Sequence, residues 1–163
     1  MPRLVACGAR NVAFNDFCTA HQGSEADFVA LLLVDSEDPV ADGERPWDHL
    51  RACDGWHRPE GAQDDQALLM ITCMESWIAC DRGTLQERFG AALQLTALPA
   101  LNGIEGRPRQ DVLLALQQAT RNCQVSYTKG KVSFEILGTL SPDVLRQNLP
   151  AFARVVRILD QRL

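Results

Sequence analysis

Apolar and polar residues follow two rhythms along this chain, one of strand length and one of helical spacing. Pro2 to Gly8 reads as a short buried strand that stops at glycine. Val12, Phe14, Phe17 and Cys18 then recur among polar residues at helical spacing, which predicts an amphipathic helix to about His21. Gln22-Gly23-Ser24 breaks it. Phe28 to Val34 is an apolar run of strand length, expected to be buried on both faces as in a parallel sheet, and it ends abruptly in Asp35-Ser36-Glu37-Asp38-Pro39. Strand, helix and strand in that order predict a βαβ unit.

Residues 35–66 are loop-like, punctuated by Pro39, Gly43, Pro46, Gly55, Pro59 and Gly61, with a short helix expected over Trp47–Ala52. A connection of this length with little regular structure is usually functional or mobile. Ala67 to Cys73 is a third apolar segment, and Met74 to Cys80 predicts a helix at its carboxyl end. Asp81 or Thr84 would cap the next helix, Thr84 with Glu87 forming a capping box, and Gly90 would end it. Pro108 to Arg121 is helical, with Val112, Leu113, Leu116 and Ala119 on one side. Ser141-Pro142 marks a further helix start. In the last helix Phe152, Val155, Val156, Leu159 and Leu163 form the apolar face, leaving Arg154 and Arg157 toward water. The sum is α/β in one domain over residues 1–163, a mostly parallel sheet flanked by helices with a helical C-terminal part.

Composition supports a core of ordinary size: 46% of the 163 residues are apolar and 23% charged. The longest apolar run is far short of a membrane span, and Met1-Pro2-Arg3 leads into no extended apolar leader, so the expected compartment is the cytoplasm with no membrane partner. The six cysteines show no CxxC pair and no His at zinc-finger spacing, and are expected to act as small buried hydrophobes. Charge is unevenly spread. Residues 1–106 carry 7 Lys/Arg and 17 Asp/Glu, a balance of −10, whereas 107–163 carry 9 and 4, a balance of +5. An acidic front repels nucleic acid unless cations intervene; a basic back meets phosphate directly.

Asp35 and Glu37 are the principal candidates for chemistry. Ligands in parallel sheets sit beyond the strands' carboxyl ends, where two carboxylates one residue apart can turn toward one hard cation. Magnesium, with manganese as the alternative, suits a few carboxylates plus substrate phosphates and hence phosphodiester chemistry. Equally, such a pair is found in ordinary solvated loops. Glu75 follows the third apolar segment at the same predicted edge among apolar neighbours, so a metal, an arginine or a raised pKa must compensate its charge. Its alternative role is that of a helix N-terminal acid favoured by the dipole. At the basic end, Arg121, Lys129 and Lys131 surround Gly130 with Tyr127 beside them, a set that can hold phosphates and stack a base, or simply form an exposed turn. His21, His49 and His57 form no metal or triad spacing, and His49 and His57 are loop contacts.

With these residues assembled, nearly the whole chain resembles a bacterial family of Toprim-like proteins, number 4276 among the domains of unknown function. The resemblance rests on CGARNVAFNDFCTA (7–20), LLLVDSEDPV (31–40), DGWHRPEGAQDDQALLM (54–70), CMESW (73–77), PRQDVLLALQQATR (108–121) and YTKGKVSFEIL (127–137). Toprim domains hold magnesium near a phosphodiester with one Glu after the first strand and an acidic pair after a later one. The resemblance implies a Toprim-like fold and carries the acidic pair onto Asp35 and Glu37, with Glu75 a further acid at that edge. It also implies a nuclease encoded beside an ATPase partner, in settings that suggest defence against phage. Two departures stand out: the family's first strand and its Glu are absent, and its Arg-His before Ser-Phe-Glu reads Lys131-Val132. The chain is therefore either N-terminally shortened or a degenerate member that binds without cutting.

The first expectation is thus a magnesium-dependent nucleic-acid enzyme in which Asp35, Glu37 and Glu75 are catalytic, Asp35 and Glu37 bind metal, and Arg121, Lys129 and Lys131 contact phosphate. The second is a non-catalytic subunit that docks on and regulates an ATPase. A missing first strand would expose a sheet edge that invites another chain, a second copy in a homo-oligomer included. A third is a small-ligand binding protein whose acidic loop holds a cation.

Overall fold

The computed structural model of the protein describes residues 3–23 and 28–162. Strands β1 (Leu32–Asp35) and β2 (Ala67–Met70) pair in parallel, with Leu32 beside Ala67 and Asp35 beside Met70. Helix α1 (Arg10–Gln22) precedes them and α2 (Pro46–Asp54) joins them. The βαβ unit therefore exists, one step later than its predicted position. Arg3 to Cys7 is not strand, and Leu4 and Val5 stand 94% and 60% exposed. Strand propensity there finds no sheet face to bury against, which is what a strand needs. Among the described residues the sheet has two strands.

The Phe28–Val34 run is also less enclosed than its composition predicts. Leu32 and Val34 are buried with Ala67 and Leu69 beneath Phe17 of α1 and Trp47 and Leu50 of α2. On the opposite face Leu68 meets Val155 and Ile158 of α8 (Pro150–Arg162), while Leu33 remains 45% exposed because that helix packs over β2 rather than over β1. Arg154 does not point to water. Its guanidinium donates to the carbonyls of Asp64 at 2.8 Å and Ala67 at 3.2 Å, giving donors to the outer margin of β2 that the two-stranded ladder leaves open. Arg157 is exposed as expected.

Behind the sheet lies a helical layer with its own core. Helix α3 (Met74–Cys80) is buried at all seven positions and forms its centre. Around it pack α4 (Arg82–Phe89), α5 (Arg109–Thr120), α6 (Lys131–Leu137) and α7 (Pro142–Asn148), through Leu85, Val112, Leu116, Ile136 and Leu145. Asp81, not Thr84, caps α4: its carboxylate accepts the Thr84 N–H at 3.0 Å and hydroxyl at 2.8 Å, and also the Ser141 N–H at 2.8 Å. Burial would push that carboxyl up, but the N–H donors of Ser141 and Thr84 hold it below its ordinary value. The six cysteines are free thiols. Only Cys73 and Cys80 are fully buried, and Cys53 is exposed, contrary to the expectation of uniform burial. Among the described residues no helix is long and apolar enough to cross a membrane.

Candidate functional site

Parallel pairing continues past the end of β1 and carries the acidic segment onto the β2–α3 connection. The Ser36 N–H donates to the Met70 carbonyl at 3.0 Å and the Glu37 N–H to the Thr72 carbonyl at 2.9 Å. Asp35 is thereby delivered to the start of α3, where its Oδ1 accepts the Met74 N–H at 3.0 Å. The next residue is Glu75. A carboxylate from β1 thus caps a helix that presents a second carboxylate one position later.

Glu75 is 1% exposed and has two partners from the loop before α6. The Tyr127 hydroxyl donates to Oε1 at 3.3 Å, and the Lys129 ammonium stands 3.6 Å from the same oxygen. Burial and the charge on Glu75 push the Asp35 carboxyl above its ordinary value, against the opposing pull of Lys129, the Met74 N–H and Arg10. Two acids therefore stand together at the carboxyl edge of the sheet, with the exposed Lys129 and, more weakly, Arg10 as counter-charges.

Glu37 has a different partner. Its backbone is left-handed, at φ 68°, an unusual conformation for a side chain of this size, and its carboxylate is ion-paired with Arg109 at the start of α5. Beneath the same loop Ser36 is completely buried, its hydroxyl donating to the Asp38 carbonyl at 2.6 Å. His49 is a buried residue of α2, its Nε2 2.9 Å from the Ser36 carbonyl and its Nδ1 3.4 Å from Glu44. Among the described residues no group of three or more His, Cys, Asp or Glu side chains is disposed to hold a metal ion.

The basic residues separate. Lys129 joins the acids, Lys131 is turned toward Glu135 at 3.9 Å, and Arg121 is exposed just past the end of α5, opposite the Arg109 end. Tyr127 cannot stack a nucleobase. It is 1% exposed, its N–H is held by the Thr120 hydroxyl at 2.8 Å, and burial pushes its phenol well up. The expectation of an aromatic platform is corrected on that ground, because stacking needs an open ring face.

Sequence pattern does not single out Arg10 or Arg109. Arg10 donates to both carboxylate oxygens of Asp54 at 2.8 and 2.7 Å and to the Asp35 carbonyl, while its guanidinium lies 4.8 Å from the Trp56 ring centroid. It clamps the end of β1 to the end of α2. Its only signal in the sequence is a cation at the head of an otherwise aromatic helix face.

A family model described as a domain of unknown function (DUF4276) matches residues 9–160. No curated protein and no solved structure matches the chain.

Proposed function

The chain belongs to that family, the domain of unknown function DUF4276, and from this membership and the crowded acids we propose that it is a Toprim-like, magnesium-dependent enzyme of nucleic-acid phosphodiester chemistry. The observation that carries the reading is Asp35 beside Glu75 at the sheet's carboxyl edge, where burial and then the Glu75 charge raise the Asp35 carboxyl. Such crowding fits a divalent cation, which would relieve the charge that Lys129 now offsets from one side. Asp35 and Glu75 would hold the ion, and Glu37 would add a third carboxylate when released by Arg109. Magnesium or manganese, when bound, supplies Lewis-acid polarisation of a phosphate and a more acidic water.

The chain's own residues do the rest. Tyr127 is a positioning residue that orients the Glu75 carboxylate, and Arg10 positions Asp35 through its carbonyl. Lys129, more than half exposed, is free to exchange its carboxylate contact for a phosphate oxygen. Arg121 and Lys131 are exposed cations that would meet flanking phosphates. Purified protein is expected to cleave DNA or RNA in magnesium, with activity abolished in Asp35→Ala. Cleavage unchanged by that substitution would overturn the assignment.

One observation favours a second reading, a non-catalytic subunit that docks on an ATPase, the partner implied by the Toprim-like resemblance. Phe28, Val29 and Leu33 expose an apolar strip along and before β1, at 53%, 42% and 45%. Co-purification with an ATPase, lost in Leu33→Lys, together with no intrinsic cleavage, would support this reading over the first.

A further inference from the structure

Ten acids lie between positions 35 and 65, and the same segment contains three Lys/Arg residues, Arg45, Arg51 and Arg58. The acids are dispersed along the segment, but all three arginines line one surface cavity of about 290 Å³, together with His57. Every full cation of an acidic segment thus meets at one concavity, which concentrates positive potential there.

All three arginine side chains are about half exposed or more, and their protein contacts leave most of their N–H donors open to a ligand. Arg45 donates through Nε to Asp48 at 2.7 Å. Arg51 comes no nearer than 3.7 Å to Asp48, and Arg58 no nearer than 3.6 Å to Asp64, both outside hydrogen-bond distance. A guanidinium offers five N–H donors in a planar fork that matches carboxylate or phosphate oxygens. Here that capacity faces a cavity in which two carboxylates offset three cations, leaving a net charge of one positive unit. Trp47 closes the wall. Its ring is 4% exposed and its Nε1–H is spent on the Gln63 carbonyl at 2.9 Å, so the cavity has no aromatic platform and recognises charge.

We propose that this cavity binds a phosphate group, with Arg51 and Arg58 as its principal donors, Arg45 as a third, and Asp48 and Asp64 as internal stand-ins that the phosphate displaces. One net positive charge suits a single oxyanion, and three guanidiniums lining one cavity offer enough N–H donors for a phosphate's several oxygens. The phosphate is either that of a small molecule or that of a strand's backbone. The proposal does not rest on the metal reading, since its residues lie outside the Asp35–Glu75 site and its failure would leave that reading standing.

Calorimetric titration of the whole chain with inorganic phosphate tests it, with folding of each variant checked by its melting curve. Phosphate is expected to bind, about tenfold or more weaker in Arg51→Gln/Arg58→Gln. Asp64→Asn removes a competing carboxylate while keeping the Asp64 carbonyl that Arg154 uses, and is expected to tighten binding. Tighter binding of adenosine monophosphate than of a short oligonucleotide without terminal phosphates identifies a small-molecule ligand; the reverse order identifies a strand. Absence of phosphate binding, equal affinity in the double variant, or weaker binding in Asp64→Asn would each overturn the proposal.

Discussion

Tyr127 donates its phenolic O–H to Oε1 of Glu75, 3.3 Å away, with both side chains about 1% exposed. This bond joins the loop before α6 to the first turn of α3. It also fixes one oxygen of the carboxylate while Lys129 approaches from the solvent side. Removing the hydroxyl leaves a buried acceptor short of a donor, at a cost of about 1–3 kcal/mol. Tyr127→Phe is therefore expected to lower the free energy of unfolding by that order, read by urea denaturation. An unchanged midpoint would show that the contact contributes nothing.

Asp35 gives a pH signature of the opposite sense to an ordinary ion-paired acid. Its carboxyl lies above the ordinary value of 3.8 in the folded protein, through burial and the Glu75 charge. The folded state thus holds the proton more tightly than the unfolded chain. Stability from this group is complete below pH 3.8 and is lost as pH rises through the folded value. Asp35→Asn keeps an acceptor for the Met74 N–H and removes the charge. In metal-free buffer it is expected to melt higher than the wild type at neutral pH, with the gap closing in acid.

Glu105 behaves similarly at the other end of the helical layer. Both of its carboxylate oxygens lie 3.2 Å from the Ala151 N–H at the start of α8, and burial pushes the group up from 4.5 to about 7. The sign is the same: stability is full below pH 4.5 and declines until the group is ionised above about pH 7. Glu105→Gln is expected to raise the melting temperature at pH 8 and to match the wild type at pH 4. A variant that melts lower at pH 8 would mean that the ionised carboxylate is a net stabilising cap for α8.

Local signals in the sequence located the elements that local chemistry decides. Met74–Cys80, the Gly90 stop and the Ser141-Pro142 start emerge where spacing and caps place them, because those signals lie within a few residues. Arg3–Cys7 shows the limit. An apolar run becomes a strand only if a sheet face receives it, and that is a property of distant residues. The candidate site was legible in part for the same reason. Its carboxylates follow from strand ends rich in acid, but the pairing of Asp35 with Glu75 rather than with Glu37 depends on the β1–β2 register and on Arg109, which enters from α5. Arg154 was assigned to water by helical spacing alone, which cannot show that an outer strand margin beside it lacks donors.

If Asp35 and Glu75 form a seat for one divalent cation, the ion must bind the protein before any substrate does. Calorimetric titration of the chelator-treated protein with manganese and magnesium, alongside Asp35→Asn/Glu75→Gln, measures it directly. One ion is expected per wild-type chain and none in the double variant. Wild-type protein that takes up no ion, or a double variant that binds one as tightly as the wild type, would contradict it.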